Sequence, residues 1–422
     1  MTLLAHASHR TFASLRRHRN YRLFFSGQLA SVCGTWMQNV ALYWLAVQLA
    51  PAGSRGLAVG LVSICRFGPF TVLGLLAGVV TDRFDNRRTV IVTQAVQMAL
   101  SAVLAAVTLL GTVRLWELYV IAGLTGTALV FDSPARQNLT FRMVGREELP
   151  NAIALNSSLV NTARIFGPAL AGVVIASCGA GWAFTINAIS FLAVLSALLA
   201  MRTRELYPLE RPPTRPTVWR GTREGFGYAR RSTTVKVVLV MMVVFASVCF
   251  NFNILLPLLA KQTLDAGPRS LGVLSASFGV GALIGALVSA ALARARWRVL
   301  LVGGGGFGLA ELLIAPAHSL TFASVLLFLS GLCFATYTAT ANAKIQLVTP
   351  DHLRGRVLGL YFYAWNGLSP FGALFVGWLC DRGGTPLAFT VAGCAALAAT
   401  AGGYLVLRRR EHTPQVRPRL AA

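Results

Sequence analysis

The sequence predicts an all-α membrane protein with twelve transmembrane helices arranged as two bundles of six. Hydrophobic residues make up 55% of the 422 residues and charged residues only 12%, and the mean hydropathy is +0.63. Apolar runs of about 20 residues, the length that crosses roughly 30 Å of hydrocarbon, recur along the whole chain. A water-soluble protein of this composition would expose large apolar patches. These observations exclude a soluble globular protein.

The apolar runs define the predicted spans, which are separated by short polar connections. The twelve predicted spans are 23–49, 57–81, 89–111, 116–138, 150–177, 181–201, 235–260, 270–293, 299–317, 320–342, 357–380 and 386–407. Because the number of crossings is even, both termini are expected on the same side of the membrane.

Basic residues are distributed unequally between the two sides of the membrane. The two tails and the loops after even-numbered spans hold most of the 38 lysines and arginines. The opposite loops hold only Arg55, Arg114, Lys261, Arg269 and Arg382. The positive-inside rule therefore predicts a multi-pass membrane protein with both termini in the cytoplasm. The formal charge of +24 is spread over these membrane-flanking loops, which favours anionic lipids over nucleic acid as partners.

The sequence gives no indication of enzyme chemistry, a metal site or a bound cofactor. The seven cysteines form no C-x-x-C pair and have no histidine at ligand spacing. The stretch 303–308, GGGGFG, matches a dinucleotide-binding pattern, but it opens an apolar span and favours helix packing. No P-loop, H-E-x-x-H or G-x-S-x-G motif occurs.

The longest polar insert, residues 202–234, divides the chain into an N-terminal half, 1–201, and a C-terminal half, 235–422. Proline-rich sequence opens this insert, and the mixed segment 218–231, VWRGTREGFGYARR, follows. The segment is predicted either as an amphipathic helix on the membrane surface or as a solvated linker.

The two halves resemble each other weakly at equivalent places. A shift of 204 residues pairs Asn138 with Asn342, after the fourth span of each half. A shift of 211 residues aligns Arg83 with Arg294, after the second span of each half. Such matches are expected of a duplicated six-helix unit.

A charged stretch, Gly78 to Arg88, GVVTDRFDNRR, lies between the second and third spans. One interpretation is that its charges only end the helix and enforce topology. The repeat favours a separate role for the carboxylate, since the second copy keeps the basic residues but has Ala293 where the first has Asp82.

These features resemble the major facilitator superfamily. The stretch 78–88 is similar to its motif of Gly, three residues, Asp-Arg and a basic cluster, and 161–172, NTARIFGPALAG, resembles the Gly-Pro motif of its antiporters. The segments 19–31, 132–137 and 146–158 are closest to the enterobactin-exporter-like subgroup. The resemblance implies a major facilitator fold and transport of a small molecule.

The resemblance also implies a cytoplasmic latch, in which Asp82 faces the start of the eleventh helix and nearby arginines. This latch would close the cytoplasmic side in one state and break in the other. The predicted gating residues are Gly78, Asp82, Arg83, Arg87, Arg88, Asp132, Arg136, Arg354 and Arg356. Asp132 and Arg136 are four residues apart and can pair on one helix face, so they are either part of this gate or a structural pair.

Ionisable residues inside the spans are candidates for function. Arg66 and Arg164 lie near the middle of their helices without an acid one turn away. Pro168 cannot donate to the Arg164 carbonyl, so Arg164 offers a cation and an acceptor together, although it could instead bond to neighbouring helices. Gly167, Pro168 and Gly172 are predicted to kink this helix. Glu311, near the outer end of a peripheral helix, is expected to snorkel to the interface.

The predicted function is secondary active export of a small amphipathic, anionic molecule, such as a siderophore or drug, by a monomer that alternates access to one site. The predicted substrate-binding residues are Arg66, Arg164, Gln38, Asn39, Asn161, Asn251, Asn253 and Asn342. Proton coupling is expected, but no residue is assigned to carry the proton. The alternatives are a symporter that takes up an anionic nutrient, and a transport-inactive scaffold or sensor, against which the polar residues of the cavity helices count.

Overall fold

The computed structural model describes residues 13–208, 218–291 and 296–411, with only the backbone for 75–83, 218–222, 351–352, 366 and 410–411. Three predicted gating residues, Gly78, Asp82 and Arg83, therefore lie outside the part whose side chains are described.

The N-terminal half consists of long helices that follow the predicted spans. Helix α1 is Arg19–Leu49, α2 is Arg55–Arg83 and α3 is Asn86–Leu109. The stretch Leu115–Cys178 is broken at Gly145, whose φ of 73° and ψ of −174° are not helical. We call its two parts α4, residues 115–144, and α5, residues 146–178. Helix α6 is Ala180–Leu199.

The C-terminal half follows the same plan, with α8 at Pro268–Ala291, α9 at Trp297–Ile314 and α10 at Leu320–Val348. Its last stretch, Asp351–Glu411, is broken at Gly383 and Gly384. The two parts are α11, residues 351–382, and α12, residues 385–411. Gly384 has a φ of 69°, a left-handed conformation that glycine adopts without steric cost.

Helix α7, Thr233–Thr263, departs from the predicted continuous span. It is α-helical from Thr233 to Val244 and π-helical from Phe245 to Cys249. The helix is interrupted at Phe250 and Asn251 and resumes over Phe252–Leu258, before a second π-helical turn. Interrupted helices and π-helical turns often mark functional positions in membrane proteins.

Long apolar helices dominate the described part of the chain. Nine stretches among the described residues are long and apolar enough to cross a membrane, and two of these are the glycine-broken stretches that each hold two predicted spans. Helix α1 adds a further helix of 31 residues. The architecture is therefore the predicted all-α membrane fold and is consistent with twelve crossings.

The segment 218–231 forms a helix, Val218–Arg231, which we call the linker helix. It contacts the C-terminal half, since Arg356 of α11 forms an ion pair with Glu224 and the Tyr228 hydroxyl donates to the Val348 carbonyl at 2.9 Å. Phe226 on the same helix is 56% exposed. The helix predicted for this segment is present, and its placement on a membrane surface stays a prediction.

Candidate functional site

The two halves meet backbone to backbone at one end of the bundle. Gly56 of α2 lies so close to Gly377 of α11 that a Cβ on Gly56 would be 2.0 Å from the Gly377 carbonyl oxygen. Gly172 of α5 faces Gly272 of α8, whose Cα would lie 2.9 Å from a Cβ on Gly172. Small residues permit such approaches between membrane helices. We call this end, defined by these four glycines, the closed end.

Asp381 joins the two halves at the closed end. Its Oδ1 accepts a hydrogen bond from the Gly56 amide at 2.7 Å, and its Oδ2 accepts one from the Leu57 amide at 2.8 Å. These amides belong to the first turn of α2, where N–H groups lack helical partners and the helix dipole favours an anion. Asp381 was not selected from the sequence. The feature that could have indicated it is an acid directly after an apolar span.

Replacing Asp381 by Asn should weaken the closed end, because the charge that faces the α2 dipole is lost. A charge at a helix terminus contributes about 0.3–1 kcal/mol, here to the stability of the closed end. Its loss should therefore raise the fraction of molecules that are open at this end by roughly two- to fivefold. A cysteine at Ser369, which lines a pocket towards this end, should react correspondingly faster with a thiol reagent that enters there.

Glu117→Gln is the matched control for this prediction, since Glu117 also caps a helix but bonds to the Arg114 amide of the same half, at 3.0 Å. Equal reactivity of the Ser369 cysteine in Asp381→Asn and in Glu117→Gln would mean that Asp381 does not hold the halves together.

A cavity of about 800 Å³ occupies the middle of the bundle and opens at the opposite end, which we call the open end, where Asn342, Gln346 and Leu347 lie. Leu347 is 76% exposed there. The N-terminal half contributes Asn161 and Arg164 of α5 to its wall. The C-terminal half contributes Met242, Ala282, Ala286, Ser289, Ala290, Val299, Phe334, Ala335, Thr338, Ala339, Thr340, Asn342, Ala343, Gln346, Leu347, Tyr361, Phe362 and Trp365.

Arg164 supplies a cation to the cavity wall. Its guanidinium lies 5.2 Å from the centroid of the Trp36 ring of α1, a distance at which an aromatic face attracts a cation. Its Nε has no hydrogen-bond partner, and no carboxylate pairs with it among the described residues. The side chain is therefore positioned to bind an anionic group that enters the cavity.

Arg66 does not share this cavity. It is only 4% exposed inside the N-terminal half, near Tyr43, whose hydroxyl accepts a hydrogen bond from Ser63 at 3.1 Å. The Arg66 carbonyl packs against Gly126 of α4. The structure thus places only one of the two predicted arginines where a substrate in the cavity could reach it.

The predicted polar residues fall into three places. Asn161 and Asn342 line the main cavity, whereas Asn251 and Asn253 line a neighbouring pocket of about 80 Å³. Gln38 is buried in the N-terminal half, where its Oε1 accepts from Ser101 and from Asn187, each at 2.6 Å. The Oδ1 atom of Asn39 is buried without a partner. Gln38 and Asn39 are therefore not brought to the cavity in this state.

The Gly-Pro segment of α5 places Gly167 against Trp36 and Gly172 at the closed end. Pro168 leaves the Arg164 carbonyl without its helical donor. Gly279 of α8 packs near this carbonyl, since a Cβ built on Gly279 would lie 3.4 Å from the Arg164 oxygen. Gly167 and Gly172 thus let α5 approach α1 and α8 closely, and a kink at Pro168 stays a prediction.

The described residues of the predicted cytoplasmic gate have partners of their own. Arg87 donates to the carbonyls of Leu198 and Leu199 at the end of α6, at 2.9 and 3.3 Å, and Arg88 is exposed. Arg356 pairs with Glu224, and Arg354 Nε donates to the Gln346 carbonyl at 3.2 Å. The latch between Asp82 and these arginines stays a prediction.

Asp85 fixes the loop after α2. It caps α3 by accepting from the Arg88 amide at 3.0 Å and pairs with Arg142 at 3.1 Å. Partial burial raises its pKa, but the Arg88 amide and Arg142 outweigh this and hold the pKa below its usual value. A lowered carboxyl pKa stabilises the fold above the pKa of the unfolded state, and this contribution is lost as the pH falls through the lowered value. The sequence could have indicated this cap, because aspartate is a preferred residue directly before a helix.

Asp132 and Arg136 form a buried polar network. Asp132 has no exposed surface and accepts from the Thr93 hydroxyl at 2.8 Å and the Gln94 amide at 2.9 Å. Arg136 completes the pair from one turn away. All of these groups lie in the N-terminal half, so the network fits the structural interpretation at least as well as a gate between halves.

The expectation that Glu311 snorkels to the interface is wrong. It is 0% exposed, and both carboxylate oxygens lack a hydrogen-bond partner. The residue precedes the end of α9 by three positions, but its side chain packs inside the C-terminal half rather than towards the surface.

Aromatic side chains build the deep end of the cavity, and sequence reasoning did not single them out. Phe250, at the interruption of α7, stacks on Phe334 with ring centroids 4.2 Å apart and lies 5.0 Å from Trp365. Phe334 and Trp365 line the main cavity. The site therefore combines one cation with flat apolar surfaces, which suits an amphipathic anion.

Comparison with known proteins identifies the class. Residues 9–419 match the family described as transmembrane secretion effector. The chain belongs to this family of the major facilitator superfamily, and it is a multi-pass membrane transporter rather than an enzyme.

Relatives that are similar over most of their length include siderophore and drug transporters. The staphyloferrin A transporter of Staphylococcus aureus is 22% identical, over 92% of this chain and 96% of its own. Macrolide efflux protein A of Streptococcus pyogenes is 23% identical, over 90% and 95%. Enterobactin exporter EntS of Salmonella choleraesuis is 26% identical, over 82% of each chain.

Solved structures share the fold. A POT family transporter in complex with 5-aminolevulinic acid has a TM-score of 0.75 at 11% identity, covering 94% of this chain and 97% of its own. A bacterial homologue of the human lysosomal transporter Spinster has a TM-score of 0.68 at 12% identity, covering 92% and 95%.

Proposed function

We propose that this protein exports a small amphipathic molecule with at least one acidic group across the bacterial inner membrane, by alternating access and coupled to protons. The observation that carries the proposal is Arg164, which lies over Trp36 in the wall of an open cavity and has no carboxylate partner among the described residues. An unpaired cation away from bulk water is costly. An anionic substrate would supply the missing charge.

The relatives support this class of substrate and the direction of transport. Their names refer to two siderophore systems and to macrolide efflux. Siderophores are polar, acidic or catechol-bearing molecules, and the cavity offers a cation with aromatic walls. We infer export because efflux recurs among these names, and because the residue pattern resembles the exporter-like subgroup.

Charge asymmetry assigns the two ends of the bundle to the two sides of the membrane. The loops at the closed end carry few basic residues, and the tails and loops at the open end carry most of them. By the positive-inside rule the open end faces the cytoplasm. The described conformation is then inward-facing, with substrate entering from the cytoplasm and the closed end blocking release.

The native Cys178 tests this orientation, because it is exposed at the closed end. A thiol reagent that cannot cross membranes should label the protein in intact cells, and Cys178→Ser should abolish the labelling. In the Cys178→Ser background, a cysteine at Ala52 should restore labelling from outside. A cysteine at the exposed Arg230 of the linker helix should react only after permeabilisation. Labelling of that cysteine in intact cells would reverse the orientation.

The function itself is tested with inside-out membrane vesicles that contain the protein. An amphipathic carboxylic-acid dye should accumulate in these vesicles when their interior is made acidic, and accumulation should stop when a protonophore removes the gradient. Accumulation that continues after the protonophore is added would contradict proton coupling. Absence of transport of any acidic dye, in either vesicle orientation, would favour a scaffold or sensor.

A further inference from the structure

Glu311 is a buried acid that the substrate cavity does not use. It has no exposed surface and does not line either of the two cavities. Neither of its carboxylate oxygens has a hydrogen-bond partner, and no lysine or arginine among the described residues pairs with it. An ionised carboxylate in such surroundings costs several kcal/mol, so an acid is retained there in its neutral form.

The surroundings of Glu311 contain few other ionisable groups. From α7, the Cys249 thiol donates to the Ala392 carbonyl of α12 at 3.3 Å. From α12, small residues such as Gly393 and Ala396 pack against Gly308, one turn before Glu311. From α10, the Tyr337 ring stacks on Phe245 of α7, with ring centroids 4.2 Å apart. Among the described side chains of these helices, no cation pairs with Glu311.

Tyrosine and cysteine side chains of α7, α10 and α11 are the candidate groups for a proton path between the main cavity and this acid. Tyr361 lines the cavity, and its hydroxyl donates to the carbonyl of Thr338, the residue next to Tyr337 in α10, at 3.5 Å. The Tyr337 hydroxyl has no hydrogen-bond partner. Phenol and thiol groups can each donate and accept, so a proton that enters from the cavity has suitable groups among these side chains.

Cys249 belongs to the irregular part of α7. Cys249 closes the π-helical turn Phe245–Cys249, and the interruption at Phe250 follows directly. Phe250 stacks on Phe334 in the cavity wall. A charge that appears on Glu311 would draw donors or water towards Cys249, beside the interruption. Cys249 thus connects the α12 residues that pack beside Glu311 with the segment at the deep end of the cavity.

We propose that Glu311 is the proton-binding residue of this transporter, which loads a proton in one state and releases it in the other. The inference rests on the proposed proton-coupled export and names the group through which coupling occurs. The step is a simple acid–base exchange, in which the carboxylate takes a proton delivered through the cavity and returns it to water after α7 has rearranged.

The first test measures the proton on the protein itself. Infrared difference spectra of the purified transporter between acidic and alkaline buffer should show a carboxylic acid carbonyl band that titrates. The band should be missing in Glu311→Gln and retained in Glu205→Gln, whose acid lies on the surface. An unchanged band in Glu311→Gln would overturn the proposal. This readout needs no substrate and stands whether or not the proposed export is correct.

The second test separates coupling from binding in proteoliposomes, with the carboxylic-acid dye as probe. Glu311→Gln should exchange dye across the membrane as wild type does when the pH is equal on both sides, and should lose accumulation driven by a pH gradient. Glu311→Asp keeps the acid and should retain accumulation, which controls for a folding defect.

The outcomes of the second test distinguish the two proposals. Gradient-driven accumulation by Glu311→Gln would overturn the role of Glu311 while leaving proton-coupled export intact. Exchange without gradient-driven accumulation in the wild type would instead overturn proton coupling.

Discussion

Replacing Arg164 by Gln should abolish preference for acidic substrates. Gln keeps hydrogen-bonding capacity without charge, so binding of an anionic substrate should weaken by about 1–3 kcal/mol, or roughly 5- to 150-fold. A neutral substrate should be almost unaffected. The measurement is efflux of a carboxylic-acid dye and its neutral amide from cells that produce equal amounts of each variant.

Two further variants control this prediction. Arg164→Lys keeps the charge and should retain most of the preference for the acid. Lys344→Gln removes another cation that lies over a tryptophan, 4.2 Å from the Trp297 ring centroid, but outside the residues of the cavity wall, and it should leave the preference unchanged. Equal loss of acid and amide transport in Arg164→Gln would make Arg164 a structural residue.

Replacing Gly377 by Val should stop transport by preventing the closed end from forming. A Cβ at Gly377 would lie 2.3 Å from the Gly56 carbonyl oxygen, a backbone atom that cannot move without separating α2 from α11. Overpacking of this kind costs about 1–3 kcal/mol, which shifts an equilibrium between nearly equal states by roughly 5- to 150-fold. A cysteine at Ser369 should then react readily with an impermeant reagent from outside.

Gly402→Val is the matched control, because nothing lies within 4 Å of a Cβ at Gly402 of α12. It adds the same volume to a membrane helix and should transport as wild type does. Wild-type efflux by Gly377→Val, at equal protein level in the membrane, would show that this glycine contact is not part of the cycle.

Much of the fold could be predicted from the sequence, because crossing a membrane requires long apolar helices whose composition and length are visible directly. The breaks were harder to place. Gly145 alone breaks one helical stretch, and Gly383 with Gly384 breaks the other, whereas longer loops were expected. The π-helical turn at Phe245–Cys249 has no distinct sequence pattern, since it depends on packing against neighbouring helices.

The candidate site was predicted in part. Arg164, Asn161 and Asn342 were singled out by their polarity inside apolar spans, and the structure brings them to one cavity. The same criterion selected Arg66 and Gln38, which face the interior of their own half. Polarity alone does not reveal which face of a helix a residue occupies, because cavity and helix interface are both protected from lipid.

The partners in the contacts that close the bundle could not be found from polarity or composition, although an acid directly after an apolar span marks Asp381 itself. Asp381 bonds to backbone amides 324 and 325 residues away in sequence. The type of a residue does not reveal that its backbone amide is such a partner. Glu311 was recognised as an acid between the two ends, but its burial depends on the packing of α7, α10 and α12 around it.

The central claim, that one cavity is exposed alternately at the two ends, is tested most directly by measuring two distances in the same protein. Spin labels at Ala52 and Leu387 report across the closed end, and labels at Ser157 and Leu347 report across the open end, all in a background without native cysteines. On addition of the acidic dye and a change of pH, the account predicts a second population in which the first distance lengthens and the second shortens together. Distances that both lengthen together, or that never change, would contradict alternating access.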